Sequence, residues 1–171
     1  MRPVFSRLHY RSLRCRQQGL TLIEIMIAIV ILGILSSIGV PSFVEMIKDN
    51  RLSAQASDLT GSMRLARSEA IKRNERVGMV SDGVDGSWSE GWDIVARPGE
   101  ADEEVIRTLD ALEGGNTLNC VGDCTRILFT GAGTVVASQD LRLCDDRNEG
   151  RLFSVRLTGS LKTEREEHGC Q

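Results

Sequence analysis

The sequence predicts an α+β protein in which one long N-terminal helix, membrane-spanning in its first part, packs against an antiparallel β-sheet head. Three observations carry this prediction: an almost uninterrupted apolar stretch at residues 20–40, helical spacing of apolar residues to about residue 74, and short β-prone runs beyond it. The predicted parts are a leader at 1–19, the spanning helix at 20–40, its amphipathic continuation at 41–75 and a β-rich head at 76–171. With 171 residues, the chain has room for one small globular domain.

The spanning segment is identified by its length and by its flanks. Its 21 residues include only one charged side chain, Glu24, and at about 1.5 Å per residue they are long enough to cross a hydrocarbon core. The positive-inside rule places the N-terminus in the cytoplasm, because Glu45, Lys48 and Asp49 follow the span whereas residues 1–19 have no acid and five arginines. The arginines are Arg2, Arg7, Arg11, Arg14 and Arg16.

Pro41 follows the apolar stretch directly. Proline lacks an amide donor and crowds the preceding turn, so we expect the helix to bend or loosen at 40–42. Beyond it, apolar residues recur at steps of four and three, which predicts one face packed on the sheet. These residues are Leu52, Ala56, Leu59, Met63, Ala66 and Ala70.

The head is predicted from alternation and turn signals. Strands are expected at 76–81, 91–96, 104–108, 126–130, 134–138, 141–144 and 152–157, separated by glycine-containing turns. Trp88 and Trp92 flank one turn; they form either an exposed contact patch or, as we favour, part of the core between sheet and helix. Gly131-Ala132-Gly133 lacks the rest of a phosphate loop and is interpreted as a hairpin turn.

The cysteines predict disulfides and an oxidising compartment. Cys15 lies in the leader, which leaves Cys120, Cys124, Cys144 and Cys170, an even number in the C-terminal third. Three pairings are open; nearness in sequence favours Cys120 with Cys124 and Cys144 with Cys170. The competing interpretation, a zinc site that includes His168, lacks paired C-x2-C spacing, so no metal site is predicted.

Composition disfavours nucleic-acid binding and catalysis. Removing the five leader arginines from the formal charge of −3 leaves −8, which is unfavourable for generic binding to phosphate backbones. The two histidines, His9 and His168, offer no catalytic triad, so the protein is not expected to be an enzyme or to hold a cofactor. Asp82 and Asp85 lie among glycines as candidate calcium ligands, but turn chemistry accounts for them better.

The junction Gln18-Gly19-Leu20-Thr21-Leu22-Ile23-Glu24 resembles the class III leader junction of type IV prepilins and pseudopilins. The resemblance implies cleavage after Gly19 by a prepilin peptidase and N-methylation of Leu20, a position where the family more often has phenylalanine. A carboxylate inside a membrane costs roughly 2.5–3.5 kcal/mol on insertion scales, so Glu24 needs a partner. By the resemblance, that partner is the amino terminus of a neighbouring subunit, and Pro41 stands where pilins have proline.

Three local patterns beyond the span are distinctive: residues 66–74, Trp88 with Gly91-Trp92, and Cys144-Asp145-Asp146-Arg147 followed by Gly150-Arg151. They carry a resemblance to FimT/FimU minor pilins and the related GspH pseudopilins. It is weakest at 96–120, where an acidic stretch suggests a variable surface loop. The acids are Glu100, Asp102, Glu103 and Glu104.

This resemblance implies a minor pilin that helps to initiate and assemble a type IV pilus. Its expected partners are other pilin or pseudopilin subunits, prepilin peptidase, the inner-membrane assembly platform and membrane lipid. A GspH-like pseudopilin of a type II secretion system is the alternative, and a plain membrane protein that is never cleaved belongs to a different class.

A DNA-uptake minor pilin is a further alternative. Some FimT-like pilins bind DNA through a Gly-Arg-x-Arg element, and the nearest match here, Gly159-Ser160-Leu161-Lys162, lacks the first arginine. The candidate DNA contacts are Arg151, Arg156 and Lys162, which with Arg165 are expected to share one face of a hairpin.

Overall fold

The computed structural model describes residues 19–83, 87–122, 124–167 and 170. The chain divides into two compact units, Met1–Ser42 and Phe43–Gln171. Asp85 and His168, and Cys15 and His9 in the leader, lie outside the described residues.

One helix, α1 (Leu22–Arg73, 52 residues), contributes to both units. It is assigned without interruption through Pro41, so the loosening expected at 40–42 does not break it. It ends within a residue of the expected position: Asn74 adopts a positive φ of 54°, and the amide of Glu75 donates to the carbonyl of Ala70 at 3.2 Å. The helix is long and apolar enough to cross a membrane, and no residue in its most apolar stretch is buried by the rest of the protein.

Within the second unit, the expected stripe of α1 packs against the sheets. Its six residues are all buried, together with the small polar Ser62, whose hydroxyl donates to the carbonyl of Asp58 at 2.8 Å. This confirms the predicted packing of helix on sheet. The stripe comprises Leu52, Ala56, Leu59, Met63, Ala66 and Ala70.

The described residues of the head form two four-stranded antiparallel sheets. The first has the order β3-β2-β1-β5 and the second the order β4-β6-β7-β8. The strands are β1 (Val77–Ser81), β2 (Trp92–Ala96), β3 (Glu104–Leu109), β4 (Thr117–Cys120), β5 (Arg126–Phe129), β6 (Gln139–Cys144), β7 (Glu149–Val155) and β8 (Leu161–Glu167).

The strand predictions fail at three places. Residues 134–138 form only an isolated bridge between Phe129 and Val135, because the amides of Val135 and Val136 donate to two different segments, at Leu157 and Leu128. Strands β4 and β8 were not predicted. Both are edge strands, and β8 is dominated by charged residues, so neither gives a clear apolar alternation. The acidic stretch begins as an exposed turn, but Glu104 opens β3.

The two tryptophans belong to the core. Trp88 and Trp92 are 0% and 1% exposed, which confirms the core interpretation over a contact patch. The indole N–H of Trp88 donates to the carbonyl of Cys124 at 2.9 Å, so this large side chain buries its polar atom with a partner.

Candidate functional site

The N-cap of α1 places Glu24 in the first turn of the helix. The Thr21 carbonyl accepts from the Ile25 amide and the Thr21 hydroxyl from the Glu24 amide, both at 3.3 Å. Thr21 is therefore the N-cap, and Glu24 occupies the third helical position of a Thr-x-x-Glu capping sequence. A carboxylate in the first turn also interacts favourably with the positive end of the helix dipole. Gly19 and Leu20 precede this cap and are exposed.

The helix surface beyond the cap is apolar and exposed. Every large apolar side chain from Leu22 to Ile47 is between 42% and 77% exposed. An exposed apolar surface of this extent is uncommon on soluble monomers and indicates burial by lipid or by other helices. Glu24 is the only charged side chain on this surface before Glu45.

A cluster of ion pairs, which we call the Arg147 cluster, fixes the β6–β7 turn to α1 within the second unit. The guanidinium of Arg147 donates to Glu45 at 2.5 Å, to Asp49 at 2.7 Å and to Asp145 at 2.8 Å. The hydrogen bonds to these three carboxylates raise the pKa of Arg147 above its usual range. The turn is thus held by charge-assisted bonds to two helical residues that lie one turn apart, Glu45 and Asp49.

Asp145 is the buried member of the Arg147 cluster. Its side chain is 1% exposed, and its Oδ1 accepts from the backbone amides of Arg147 at 2.9 Å and Glu149 at 3.0 Å. Beside it, Lys48 donates to Asp146 at 2.6 Å and lowers the pKa of that carboxyl. In the sequence, Cys144-Asp145-Asp146-Arg147 is recognisable only by its resemblance to a family. The signal for its contact with α1 is the complementary charge of Glu45, Lys48 and Asp49.

The four cysteines that the structure describes lie in disulfides. The structure joins Cys120 to Cys124 and Cys144 to Cys170, with Cα atoms 5.9 Å and 5.7 Å apart, and these are the pairs that nearness favoured. The four sulfurs therefore supply no thiolate to zinc.

No metal cluster occurs elsewhere in the described part of the chain, where no three His, Cys, Asp or Glu side chains are arranged so that they could hold a metal ion. Asp82 has a raised pKa because it is partly desolvated and because the carboxylate of Asp93 repels its charged form.

The proposed basic strip is divided between two faces, which corrects the expectation of a shared one. Arg151 lies opposite Arg165 in the β7–β8 pair, and Lys162 lies opposite Ser154. Side chains alternate between the two faces along a strand, so Lys162 and Arg165, which are separated by an odd number of positions on β8, point to opposite faces. Arg151 donates to the hydroxyl of Ser53 at 2.9 Å. Lys162 pairs with Glu164 at 2.5 Å, and Arg156 lies where the strand has ended.

Comparisons with known proteins agree with this geometry. The family described as Type II transport protein GspH matches residues 55–160, and the one described as Prokaryotic N-terminal methylation motif matches residues 14–40. The chain belongs to the type IV pilin and pseudopilin family. The matched methylation motif contains the junction and the whole apolar segment at 20–40, and the GspH match contains the buried stripe from Ala56 onward and most of the head.

Individual members of the family resemble this pilin-like chain to different extents. The type IV major fimbrial protein FimA of Dichelobacter nodosus is 30% identical over 113 residues, which cover 62% of this chain and 72% of that protein. The solved minor pilin FimU of Pseudomonas aeruginosa has a TM-score of 0.63 and 22% identity, covering 74% of this chain and 99% of its own. The minor pseudopilin EpsH of Vibrio cholerae has a TM-score of 0.54 and 15% identity, covering 67% and 97%. These structures share the fold.

Proposed function

We propose that the chain is a minor pilin of a type IV pilus that helps to initiate the fibre. Before assembly it is anchored in the bacterial inner membrane. The observation that carries the proposal is an exposed apolar helix whose N-cap, Thr21, comes directly after Gly19 and Leu20. This junction lies within the matched methylation motif. In this proposal, prepilin peptidase cleaves after Gly19 and the new amino terminus on Leu20 is methylated. The rest of the span stays attached to the head, because the cut lies before it.

Glu24 is the proposed assembly residue. A carboxylate in an apolar fibre core needs an opposite charge, since an uncompensated buried charge costs several kcal/mol. The amino terminus of a neighbouring subunit supplies that charge when the subunit leaves the membrane. The cap at Thr21 fixes the first helical turn and with it the position from which Glu24 projects.

The proposed orientation has a cytoplasmic amino terminus and a periplasmic head. The five arginines before the span support the first, and two disulfides in the head support the second, because disulfides persist in an oxidising compartment. The protein acts by binding other subunits and the assembly platform; catalysis forms no part of the proposal.

A GspH-like pseudopilin of a type II secretion system is the second candidate. The specific observation in its favour is the match of the GspH family to residues 55–160. Deleting the chain in its own cell separates the two functions: loss of surface pili with normal secretion supports the first, and loss of type II secretion with normal pili supports the second.

The decisive experiment is the mass and N-terminal sequence of the chain co-expressed with a prepilin peptidase. We expect wild type to begin at methylated Leu20 and Gly19→Ser to remain intact. Gly39→Ser is the matched control, because a side chain at Gly39 meets nothing within 4 Å, and it should be processed normally. An intact chain in all three would overturn the proposal and favour a membrane protein that is never cleaved.

A further inference from the structure

The disulfide between Cys144 and Cys170 lies directly beside the Arg147 cluster. Cys144 is the last residue of β6 and is followed by Asp145, the buried carboxylate of that cluster. Cys170 follows β8, so the loop that this disulfide closes contains the whole β7–β8 hairpin. The bond therefore ties the segment after β8 to the strand that leads into the β6–β7 turn.

The two sulfurs pack closely against the start of β7. Gly150 lies opposite Cys144 in the β6–β7 pair, and a Cβ at Gly150 would collide with the Sγ of Cys170 and lie 3.5 Å from the Sγ of Cys144. Two thiols need more room than one disulfide, because heavy atoms that share no bond are most favourably about 3.5–4.0 Å apart. Reduction therefore either displaces the ends of β6 and β7 or withdraws Cys170 from Gly150. In both cases the base of the β6–β7 turn loses contacts.

The β6–β7 turn joins residues 45–49 of α1 to the head through ion pairs. Residues 43–50 of α1 are exposed, apart from one half-buried lysine, and the buried stripe begins only at Leu52. This part of the helix is thus docked by charge and not by burial of apolar side chains. The ion pairs join Arg147 to Glu45 and Asp49, and Asp146 to Lys48.

These ion pairs depend on the position of Arg147. The side chains of Glu45 and Asp49 are 56% and 65% exposed, and an ion pair with an exposed partner contributes little by itself, because water screens the charges and two side chains must be ordered. Arg147 is only 19% exposed and is held by Asp145, which also accepts two hydrogen bonds from amides of the turn. The weak pairs form because the turn holds the guanidinium in place, so a turn that loses its shape loses them together.

We propose that the Cys144–Cys170 disulfide controls this docking: residues 45–49 of α1 are docked on the head when the bond is formed and are released when it is reduced. The inference goes beyond the proposed function, because it concerns the conformation of one chain and not its assembly.

The redox step has a defined balance. To form the bond, the two thiols each give up a proton, and two electrons pass to the disulfide of a thiol–disulfide oxidoreductase, which becomes a dithiol. Such oxidants act in oxidising compartments. The part of α1 that follows the apolar segment therefore docks only after the head has been exported.

The first test uses linkage: if the disulfide favours docking, docking must favour the disulfide by the same free energy. The full chain in non-ionic detergent is equilibrated with graded ratios of reduced and oxidised dithiothreitol, and the free thiol of each cysteine is quantified by alkylation and mass spectrometry. We expect the double variant Glu45→Gln, Asp49→Asn to shift the Cys144–Cys170 equilibrium towards thiols by about threefold to tenfold, the size expected for the loss of exposed ion pairs.

Two controls accompany this measurement. The Cys120–Cys124 equilibrium in the same sample should not change, because within the described residues neither of these cysteines forms a hydrogen bond with α1. Lys72→Gln removes an exposed ion pair elsewhere on α1 and should leave both equilibria unchanged.

The second test detects docking directly. A carbodiimide joins an amine to a carboxylate in contact with it, and the Nζ of Lys48 lies 2.6 Å from a carboxylate oxygen of Asp146. Reduced wild type and the double variant Cys144→Ser, Cys170→Ser should lose this cross-link, whereas Cys120→Ser, Cys124→Ser should keep it.

Two results would overturn the inference. One is an unchanged Cys144–Cys170 equilibrium in the Glu45→Gln, Asp49→Asn variant. The other is a Lys48–Asp146 cross-link that persists after reduction while the fluorescence of the buried tryptophans shows a folded head. If the Cys144→Ser, Cys170→Ser variant does not fold, the equilibrium measurement decides, because it keeps every cysteine.

Discussion

Replacing Asp145 with alanine should destabilise the head more than any other single change in the Arg147 cluster. Asp145 is the buried carboxylate on which the β6–β7 turn is built, and alanine removes its acceptors without filling their place. The two backbone amides that it satisfies belong to Arg147 and Glu149, so the turn loses its internal bonds as well as its ion pair.

The expected size follows from the bonds that are lost. A hydrogen bond to a charged group contributes about 1.5–3 kcal/mol, and removing one partner of a buried pair costs about 3–5 kcal/mol. Because the bonds of Asp145 are not additive, we expect Asp145→Ala to lower the free energy of unfolding by about 3–5 kcal/mol. Asp145→Asn keeps an oxygen for the two amides and loses only the charge, so it should cost about 1–2 kcal/mol.

The assay is denaturant unfolding of the full chain in non-ionic detergent with both disulfides oxidised. Trp88 and Trp92 are both buried in the head, so their fluorescence reports its unfolding. Asp146→Ala is the matched control, because its carboxylate pairs with a lysine at a half-exposed position and should matter much less.

Two outcomes would refute this reasoning. If the alanine changes at Asp145 and Asp146 were equally costly, burial would not be the source of the effect. If Asp145→Asn were as damaging as Asp145→Ala, the turn would be held by the charge of Asp145 and not by the two hydrogen bonds that its Oδ1 accepts from backbone amides.

Three further predictions concern the head. Gly150→Ala should give more free thiols than wild type in a thiol titration, because a Cβ there collides with the sulfur of Cys170 and lies 2.8 Å from the carbonyl of residue 143; the same number of thiols as in wild type would contradict this. Trp88→Phe should lower the free energy of unfolding by about 1–3 kcal/mol, since it leaves the carbonyl of Cys124 without its donor; an unchanged value would show that another group replaces it. Arg73 donates hydrogen bonds to Glu104 and lowers the pKa of that carboxyl. The stabilisation that this ion pair gives the head is therefore present above the usual pKa of a glutamate and is lost as pH falls through the lowered pKa. The melting temperature of wild type should therefore fall more steeply on acidification than that of Glu104→Gln, and parallel curves would exclude this cause.

The elements that sequence predicted well depend on local chemistry. The apolar segment and the buried stripe from Leu52 to Ala70 are encoded by composition and by spacing along one helix, which no distant residue has to complete. The short strands with clear alternation, such as β1 and β2, belong to the same class. Nearness in sequence likewise favoured the two disulfide pairs that the structure contains.

The features that only the tertiary structure decided depend on residues far apart in the chain. Residues 134–138 form only a bridge and residues 161–167 form a strand because of the segments with which their backbones pair. The register that sets Arg151 opposite Arg165 likewise decides which basic side chains share a face. A residue pattern specifies which side chains share a strand face, but register and partner are chosen by packing against the rest of the head. Ion pairs arise in the same way, because a charge acquires its partner only when the chain folds. Examples are the contacts of Arg147 with Glu45 and Asp49.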